Sequence, residues 1–354
     1  MVSVYGSTDL RMFDISKIVR ENVRSLVPYS CARDEFQGRE GIFMDANENP
    51  FGNLNRYPDP YQKELKSAIS LAKGLPAEKI FLGNGSDEII DLCYRVFCRP
   101  GIDRAIVFTP GYGMYEVSAA VNDVEVIKIP LNENFQIDMN KVRIYLTDDS
   151  VKLIFICSPN NPTGNCINSS DIEFIISNFN GIAVLDEAYN DFSDCPSFIG
   201  MTDRYPNLIV LQTFSKAHGL AAVRVGMMFS DSRIIHYFNK MKPPYNVSTI
   251  NQKAALQKLR HPAETTEQIR RIRKERERLR KSLQKLGAVE KIYPTDANFL
   301  LVKVNDAEQI YSALVERKII VRNRDRLVRG CIRITVGTRN ENNKLIKALK
   351  EISG

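Results

Sequence analysis

Lys216 stands in "TFSKAHGLAAVRVG" (213–226), a stretch of mostly small and apolar residues. Burial strips a lysine of hydration and lowers its pKa toward neutrality, which makes the amine a nucleophile or a base. Ser215 precedes it directly and Arg224 follows in the same stretch. Asp186 ends the apolar run of "GIAVLDEAY" (181–189), where a carboxylate needs a partner to offset its desolvation. "GNGSDE" (83–88) sets glycines just ahead of an apolar helical pattern that starts at Ile89. N–H groups at a helix N-terminus bind anions, and glycine permits close approach. Each feature also has a plainer reading. Ser86 or Asp87 could cap the helix, "SPNNPTG" (158–164) could be only a turn, Asp186 could serve a structural ion pair, and Lys216 could snorkel to the surface.

Chain order narrows the chemistry. An anion nest, an Asn-rich turn, a strand-end Asp, a Ser-Lys pair and an Arg together suit a phosphorylated, protonated heteroaromatic aldehyde. Pyridoxal 5′-phosphate is such a compound. Its aldehyde needs a lysine amine, its ring nitrogen a carboxylate, and its phosphate N–H donors with a basic residue.

These groups lie far apart in the chain, so the fold must gather them. "RAIVFTP" (104–110), "VEVIKIPL" (124–131), the start of "VKLIFICSPNNPTG" (151–164), "GIAVLDEAY" and "NLIVLQTFS" (207–215) read as strands, separated by segments long enough for helices. The alternation predicts βαβ units and a mostly parallel sheet, an α/β fold. Polar residues gather just after the strands, and ligands of such sheets bind at the strands' carboxyl ends. The segment 261–287 is highly charged, with Ile269, Ile272, Leu279 and Leu283 at helical spacing and Gly287 as a stop. Its acids and bases interleave, which fits a solvated bridging helix better than a nucleic-acid contact. Then "ANFLLVKV" (297–304), "AEQIYSALVERKIIV" (307–321) and "CIRITVGT" (331–338) follow as strand, helix and strand of a smaller α+β unit. The expected division is an N-terminal arm with part of the small domain over 1–50, a large domain over 51–255 and a small domain over 256–354. Residues 1–30 are expected to form an arm or partial lid.

Of the 354 residues, 44% are apolar and 26% charged, as in soluble globular proteins. No run of about 18 apolar residues suggests a membrane span, and the N-terminus shows no secretory signal. The net charge of +7, from 49 basic and 42 acidic residues, suits anionic small substrates and argues only weakly for nucleic acid. Cys31, Cys93, Cys98, Cys157, Cys166, Cys195 and Cys331 follow no metal-binding spacing, and histidines number only 3. A reduced, cytoplasmic chain with its thiols as buried filler and no metal is the expectation.

From about Pro28 to its end the chain resembles the histidinol-phosphate aminotransferases, among the fold type I pyridoxal-phosphate enzymes. The stretches that carry the resemblance are "ANENPFG" (46–52), "RYPDP" (56–60), "GNGSDE", "TPGYGMY" (109–115), "SPNNPTG", "LDEAYNDF" (185–192), "TFSKAHGLAAVRVG" and "RITVGT" (333–338). Several are common to the wider aminotransferase superfamily, and "NENP" with "RYPDP" narrows the choice to the histidinol-phosphate branch. Ala222 stands where that pattern often has glycine, and Gly111 where it often has Ser or Thr; neither change removes a chemical group. The resemblance implies pyridoxal 5′-phosphate, a homodimer, and exchange of an amino group between L-histidinol phosphate and 2-oxoglutarate in histidine synthesis.

The resemblance also implies roles for residues. Lys216 would anchor the cofactor covalently and then move a proton at the substrate Cα. Asp186 would keep the pyridine nitrogen protonated. Asn161 and Tyr189 would hydrogen-bond the ring 3′-oxygen, and Tyr112 would lie on the ring face or be a core aromatic. The phosphate would take N–H groups of Ser86 and Asp87, the Ser215 hydroxyl and Arg224, with Thr213 as a further donor. Tyr57 would reach that phosphate from the partner subunit, or anchor the turn beside Pro58. Arg333, Arg322, Asn49 and Tyr29 would meet the substrate. An arginine such as Arg333 in an apolar strand suits a bidentate grip on carboxylate or phosphate. Arg322 would hold the substrate phosphate, while Arg324, Arg326 and Arg329 could equally make an exposed basic loop. Threonine-phosphate decarboxylases and aromatic amino acid aminotransferases share much of the pattern and stay open as alternatives. A ligand-sensing domain of a transcription regulator fits less well, since no helix-turn-helix pattern precedes "ANENP".

Overall fold

The computed structural model describes residues 13–30 and 41–353. Cys31 and residues 1–12 of the expected arm lie outside the described residues. A seven-stranded sheet has the order β1-β7-β6-β5-β4-β2-β3. Its strands are β1 (Ile80–Asn84), β2 (Arg104–Thr109), β3 (Glu125–Pro130), β4 (Val151–Cys157), β5 (Ile182–Asp186), β6 (Leu208–Thr213) and β7 (Val225–Ser230). β2 to β6 run parallel, whereas β7 is antiparallel to β1 and β6. Every residue of β5 and β6 is buried. Strands covered on both faces need apolar side chains on both, hence the unbroken apolar runs. Side-chain alternation still divides them. Ile154 and Ile156 join one apolar cluster with Ile172 and Ile175, and Leu153 and Phe155 join another with Ile90 and Tyr94.

A second, antiparallel sheet has the order β10-β11-β9-β8. It comprises β8 (Val289–Ile292), β9 (Phe299–Val304), β10 (Arg322–Asn323) and β11 (Cys331–Thr335). Leu300, Val302, Ile332 and Ile334 build its core against Ile310, Leu314, Leu345 and Leu349, which come from the helices Ala307–Glu316 and Arg339–Ser353. The expected strands and the charged helix are present. β1, β7 and β8 extend the pattern, being short strands masked by adjoining motifs or charge.

The helix Pro262–Leu283 ties the two sheets together. Leu279 and Leu283 enter the small core. The buried Arg276 donates from Nη1 to the Ala297 carbonyl at 2.8 Å and to that of Phe192 at 3.4 Å. Arg273 pairs with Asp194 at 2.6 Å. Interleaved charges thus serve a bridging helix, as expected.

The cysteines need a correction. Cys93, Cys98, Cys157 and Cys331 are buried thiols, but Cys166 and Cys195 are half-buried and joined as a disulfide. The loops after β4 and β5 meet in space and bring the two sulfurs together, and no local spacing signals such a meeting.

Candidate active site

The carboxyl ends of β4, β5 and β6 carry Asn161, Asp186 and Tyr189, and Lys216 to one edge of the large sheet. β7 runs the other way, so its beginning lies at that same edge and presents Arg224 there. β11, from the small sheet, contributes Arg333.

Asp186 is 4% exposed and, among the described residues, makes no ion pair within salt-bridge distance. Its Oδ2 accepts the Tyr115 hydroxyl at 2.7 Å, and its Oδ1 accepts the Ala188 N–H at 3.0 Å. Burial pushes the Asp186 carboxyl above its ordinary pKa, and these two hydrogen bonds pull the other way. Tyr115 is itself buried and stacked on Phe155 with centroids 4.9 Å apart. It was not among the expected site residues. It is the second tyrosine of "TPGYGMY", where only Tyr112 had drawn notice.

Lys216 is half-buried, with Nζ 5.5 Å from the centre of the Tyr189 ring. Burial lowers its pKa, and the Arg333 charge lowers it further, opposed by Asp186 and Asp87. Asn161 donates from Nδ2 to the Tyr189 hydroxyl at 3.3 Å. The same amide accepts Arg333 Nη1 on its Oδ1 at 2.5 Å. The Arg333 guanidinium lies 5.2 Å over the Phe299 ring. Hydrogen bonds therefore run from Tyr189 through Asn161 to Arg333 of the small sheet, with Lys216 over the Tyr189 ring.

Beside this chain is a cup of backbone. Gly85, with φ 77°, is the N-cap position of the helix Ser86–Phe97, and no side chain caps it. The alternative of a Ser86 or Asp87 cap is not realised, and the helix starts ahead of Ile89. Its first N–H groups have no intrahelical acceptors. Arg224 is held at φ 53°, a left-handed conformation that costs a non-glycine residue about 1–3 kcal/mol. Its carbonyl accepts the Gly85 N–H at 3.0 Å. Its guanidinium reaches Asp87 Oδ2 at 3.1 Å and Ser215 Oγ at 3.4 Å. The other Asp87 oxygen accepts the Tyr112 hydroxyl at 3.0 Å, and Thr213 Oγ1 accepts the Ser215 N–H at 3.1 Å. A Cβ on Gly85 would stand 2.4 Å from Arg224 Nη2, and one on Gly226 would stand 2.4 Å from the Ser86 nitrogen. Only glycine allows this closeness.

Three expected residues make their contacts elsewhere. Tyr57 stacks on Tyr245 with centroids 4.4 Å apart, and its N–H donates to Glu48. The Asn49 side chain accepts the Phe51 N–H at 2.9 Å within its own loop. Tyr29 is 72% exposed. Among the described residues, no hydrogen bond ties Tyr29 or the Asn49 side chain to the Lys216 group. Arg322 is exposed on β10, its Cα paired with that of Arg333.

Residues 37–349 match the family of aminotransferases of class I and II. A histidinol-phosphate aminotransferase from Cytophaga hutchinsonii is 47% identical over 345 residues, covering 96% of this chain and 99% of its own. One from Bacteroides thetaiotaomicron is 50% identical over 348 residues, covering 97% of this chain and 100% of its own. The crystal structure of the histidinol-phosphate aminotransferase from Clostridium acetobutylicum matches with a TM-score of 0.78 at 26% identity, covering 87% of this chain and 98% of that one. The likeness spans both sheets and the edge where the polar groups converge, and the chain belongs to the class I and II aminotransferase family.

Proposed function

We propose that the chain is a pyridoxal 5′-phosphate enzyme that exchanges an amino group between L-histidinol phosphate and 2-oxoglutarate, giving imidazole-acetol phosphate and glutamate in histidine synthesis. One observation carries the reading: a buried carboxylate without an ion-pair partner, an amine of lowered pKa and a glycine-walled cup share one sheet edge in a chain so like these relatives. Decarboxylation and an aromatic substrate are not favoured, since relatives alike over 96% of the chain carry the histidinol-phosphate name.

The residues fit the cofactor. Asp186 supplies the acid for a protonated ring nitrogen, and the cup supplies N–H donors where a Cβ would intrude. When bound, pyridoxal phosphate supplies an aldehyde and an electron-withdrawing ring that stabilises negative charge at the substrate Cα. Lys216 would anchor it and, as a free amine, would move the proton at the substrate Cα; a base held at the reacting carbon gains from proximity. Asp186 keeps the ring nitrogen charged, and Tyr115 fixes the carboxylate's orientation. Asn161 and Tyr189 donate to the ring oxygen, and Tyr112 covers the ring face. Ser86, Asp87, Thr213, Ser215 and Arg224 bind the phosphate. Arg333 and Arg322 would bind the substrate's anionic groups, and Asn49 and Tyr29 stay in the proposal as further substrate contacts.

A homodimer would bring Tyr57 of one protomer to the other's cofactor phosphate. Ile42, Met44, Phe51, Leu54 and Ile250 are 92, 89, 81, 68 and 56% exposed, an apolar surface that favours a covering partner. No helix among the described residues is long and apolar enough to cross a membrane. A cytoplasmic site, no nucleic-acid partner, and the division at 1–50, 51–255 and 256–354 remain part of the proposal.

Glutamate alone should bleach the yellow holoenzyme, whereas a decarboxylase would keep its colour. The glutamate-loaded enzyme is then offered imidazole-acetol phosphate or phenylpyruvate. The first should restore the colour much faster, and preference for the second would refute the substrate assignment.

A further inference from the structure

Arg322 and Arg333 are direct Cα partners across β10 and β11. Residues so opposed share a face of the sheet, and like charges there repel. Arg324 stands two residues beyond Arg322, which returns it to that face. Its N–H donates to the Cys331 carbonyl at 2.9 Å, so the ladder continues to this point. Three guanidinium groups therefore crowd one face of the small sheet. Arg324 is half-buried, unlike the exposed Arg326 and Arg329, so the reading of these residues as one exposed basic loop does not hold for it.

Among the described residues no carboxylate pairs with any of the three. The charges that act on Arg324 are those of Arg333 and Arg322, and burial with these neighbours brings its pKa down to about 10. The charge that acts on Arg333 is that of Arg322, beside the neutral phenols of Tyr189 and Tyr112. The Nε atoms of Arg324 and Arg333 are both buried without a hydrogen-bond partner among the described residues. Buried donors left unmade are costly, and so is uncompensated like charge. Both are relieved by an anion of more than one charge with several acceptor oxygens. The cluster borders Tyr189, over whose ring Lys216 lies, so an anion held here would belong to a molecule reacting at Lys216. The cup at Ser86 and Arg224 is a separate anion site on the large sheet.

We propose that Arg324 is a specificity-determining residue: together with Arg322 and Arg333 it clamps the phosphate of the phosphorylated amine, and the site thereby prefers a phosphate ester to an unphosphorylated amine. This rests on the proposed function. A phosphate monoester near neutral pH carries close to two charges and three outer oxygens, which three guanidinium forks can share. An alcohol in its place leaves the forks unmade.

The test compares kcat/KM for L-histidinol phosphate and L-histidinol in the wild-type holoenzyme, Arg324→Gln, Arg324→Lys and, as an exposed control, Arg326→Gln. The ratio should fall about ten- to a hundredfold in Arg324→Gln, chiefly through KM for the phosphate ester. It should fall partway in Arg324→Lys, which keeps the charge and loses the fork, and stay unchanged in Arg326→Gln. Binding gives a second readout: calorimetry of L-histidinol phosphate with cofactor-loaded Lys216→Ala, which does not turn over, should show affinity dropping by a similar factor when Arg324→Gln is added. A ratio within twofold of wild type in both Arg324 variants, with cofactor spectrum and Tm retained, overturns the clamp. Should Arg324→Gln fail to fold, the ratio in Arg324→Lys decides alone. Wild-type enzyme inert toward L-histidinol phosphate refutes the proposed function itself, a result distinct from an active wild type whose variants keep its selectivity.

Discussion

Replacing Gly226 with alanine tests the cup directly. Gly226 lies in β7 between Gly83 of β1 and Thr213 of β6. A Cβ there would sit 2.4 Å from the Gly85 carbonyl carbon, 2.4 Å from the Ser86 nitrogen and 2.7 Å from the Gly85 oxygen. Non-bonded carbons prefer about 3.5–4.0 Å, so the helix start must recede by roughly 1 Å. All three neighbours are backbone atoms, so no side-chain rotation relieves the clash. Overpacking of this kind costs about 1–3 kcal/mol. The atoms that move are the proposed phosphate donors, so much of the cost should fall on cofactor binding, as a rise in Kd of about 5- to 150-fold. Absorbance titration of apoenzyme with pyridoxal 5′-phosphate measures this, and Tm with and without cofactor shows how much falls on the fold. Gly287→Ala, which meets nothing within 4 Å, is the control. If Gly226→Ala binds cofactor within twofold of wild type and melts at the same temperature, the phosphate does not lie at this cup.

Asp186→Asn should abolish turnover yet stabilise the apoenzyme at neutral pH. Burial raises the native pKa above the unfolded value, so the stability linked to Asp186 is present at low pH and lost as pH rises through that native pKa; an apoenzyme Tm at pH 7 below that of wild type would contradict this. Tyr115→Phe removes a bond that favours the charged carboxylate, so the Asp186 pKa should rise further, moving the acid limb of kcat to higher pH with about a tenfold loss. An unmoved limb would show that Tyr115 does not act through Asp186. Mixing Tyr57→Phe subunits with Lys216→Ala subunits should recover up to about a quarter of wild-type sites, since half the dimers then hold one complete site. Activity no greater than the weighted sum of the two variants would place Tyr57 in its own protomer's site, or in none.

Some of this was legible from residue order. Lys216 and Asp186 stood out because a charged group inside an apolar run must be either mispaired or in use. β2, β4, β5 and β6 were legible because strands buried on both faces carry unbroken apolar runs, and the edge strand β3 because its β-branched residues alternate with charged ones. β7 was not, because its "VGMMFS" begins inside the motif that ends at Gly226 and reads as its tail, although this antiparallel strand is what delivers the arginine. Tyr115 was hidden because its partner Asp186 lies far along the chain, and only the sheet order, with β4 between β2 and β5, brings the helix after β2 to the end of β5. Cys166 and Cys195 met for the same reason, across loops. Arg324 looked like one of several loop cations until pairing of β10 with β11 put it on the face of Arg333.

The bond from Arg333 to Asn161 has a mechanical consequence. One end is rooted in the small sheet and the other in the turn after β4, so the two halves of the molecule share a latch at the reaction centre. With the proposed roles, an incoming anion would compete with the Asn161 oxygen for the Arg333 guanidinium, so substrate binding and the hold between the two sheets would be coupled.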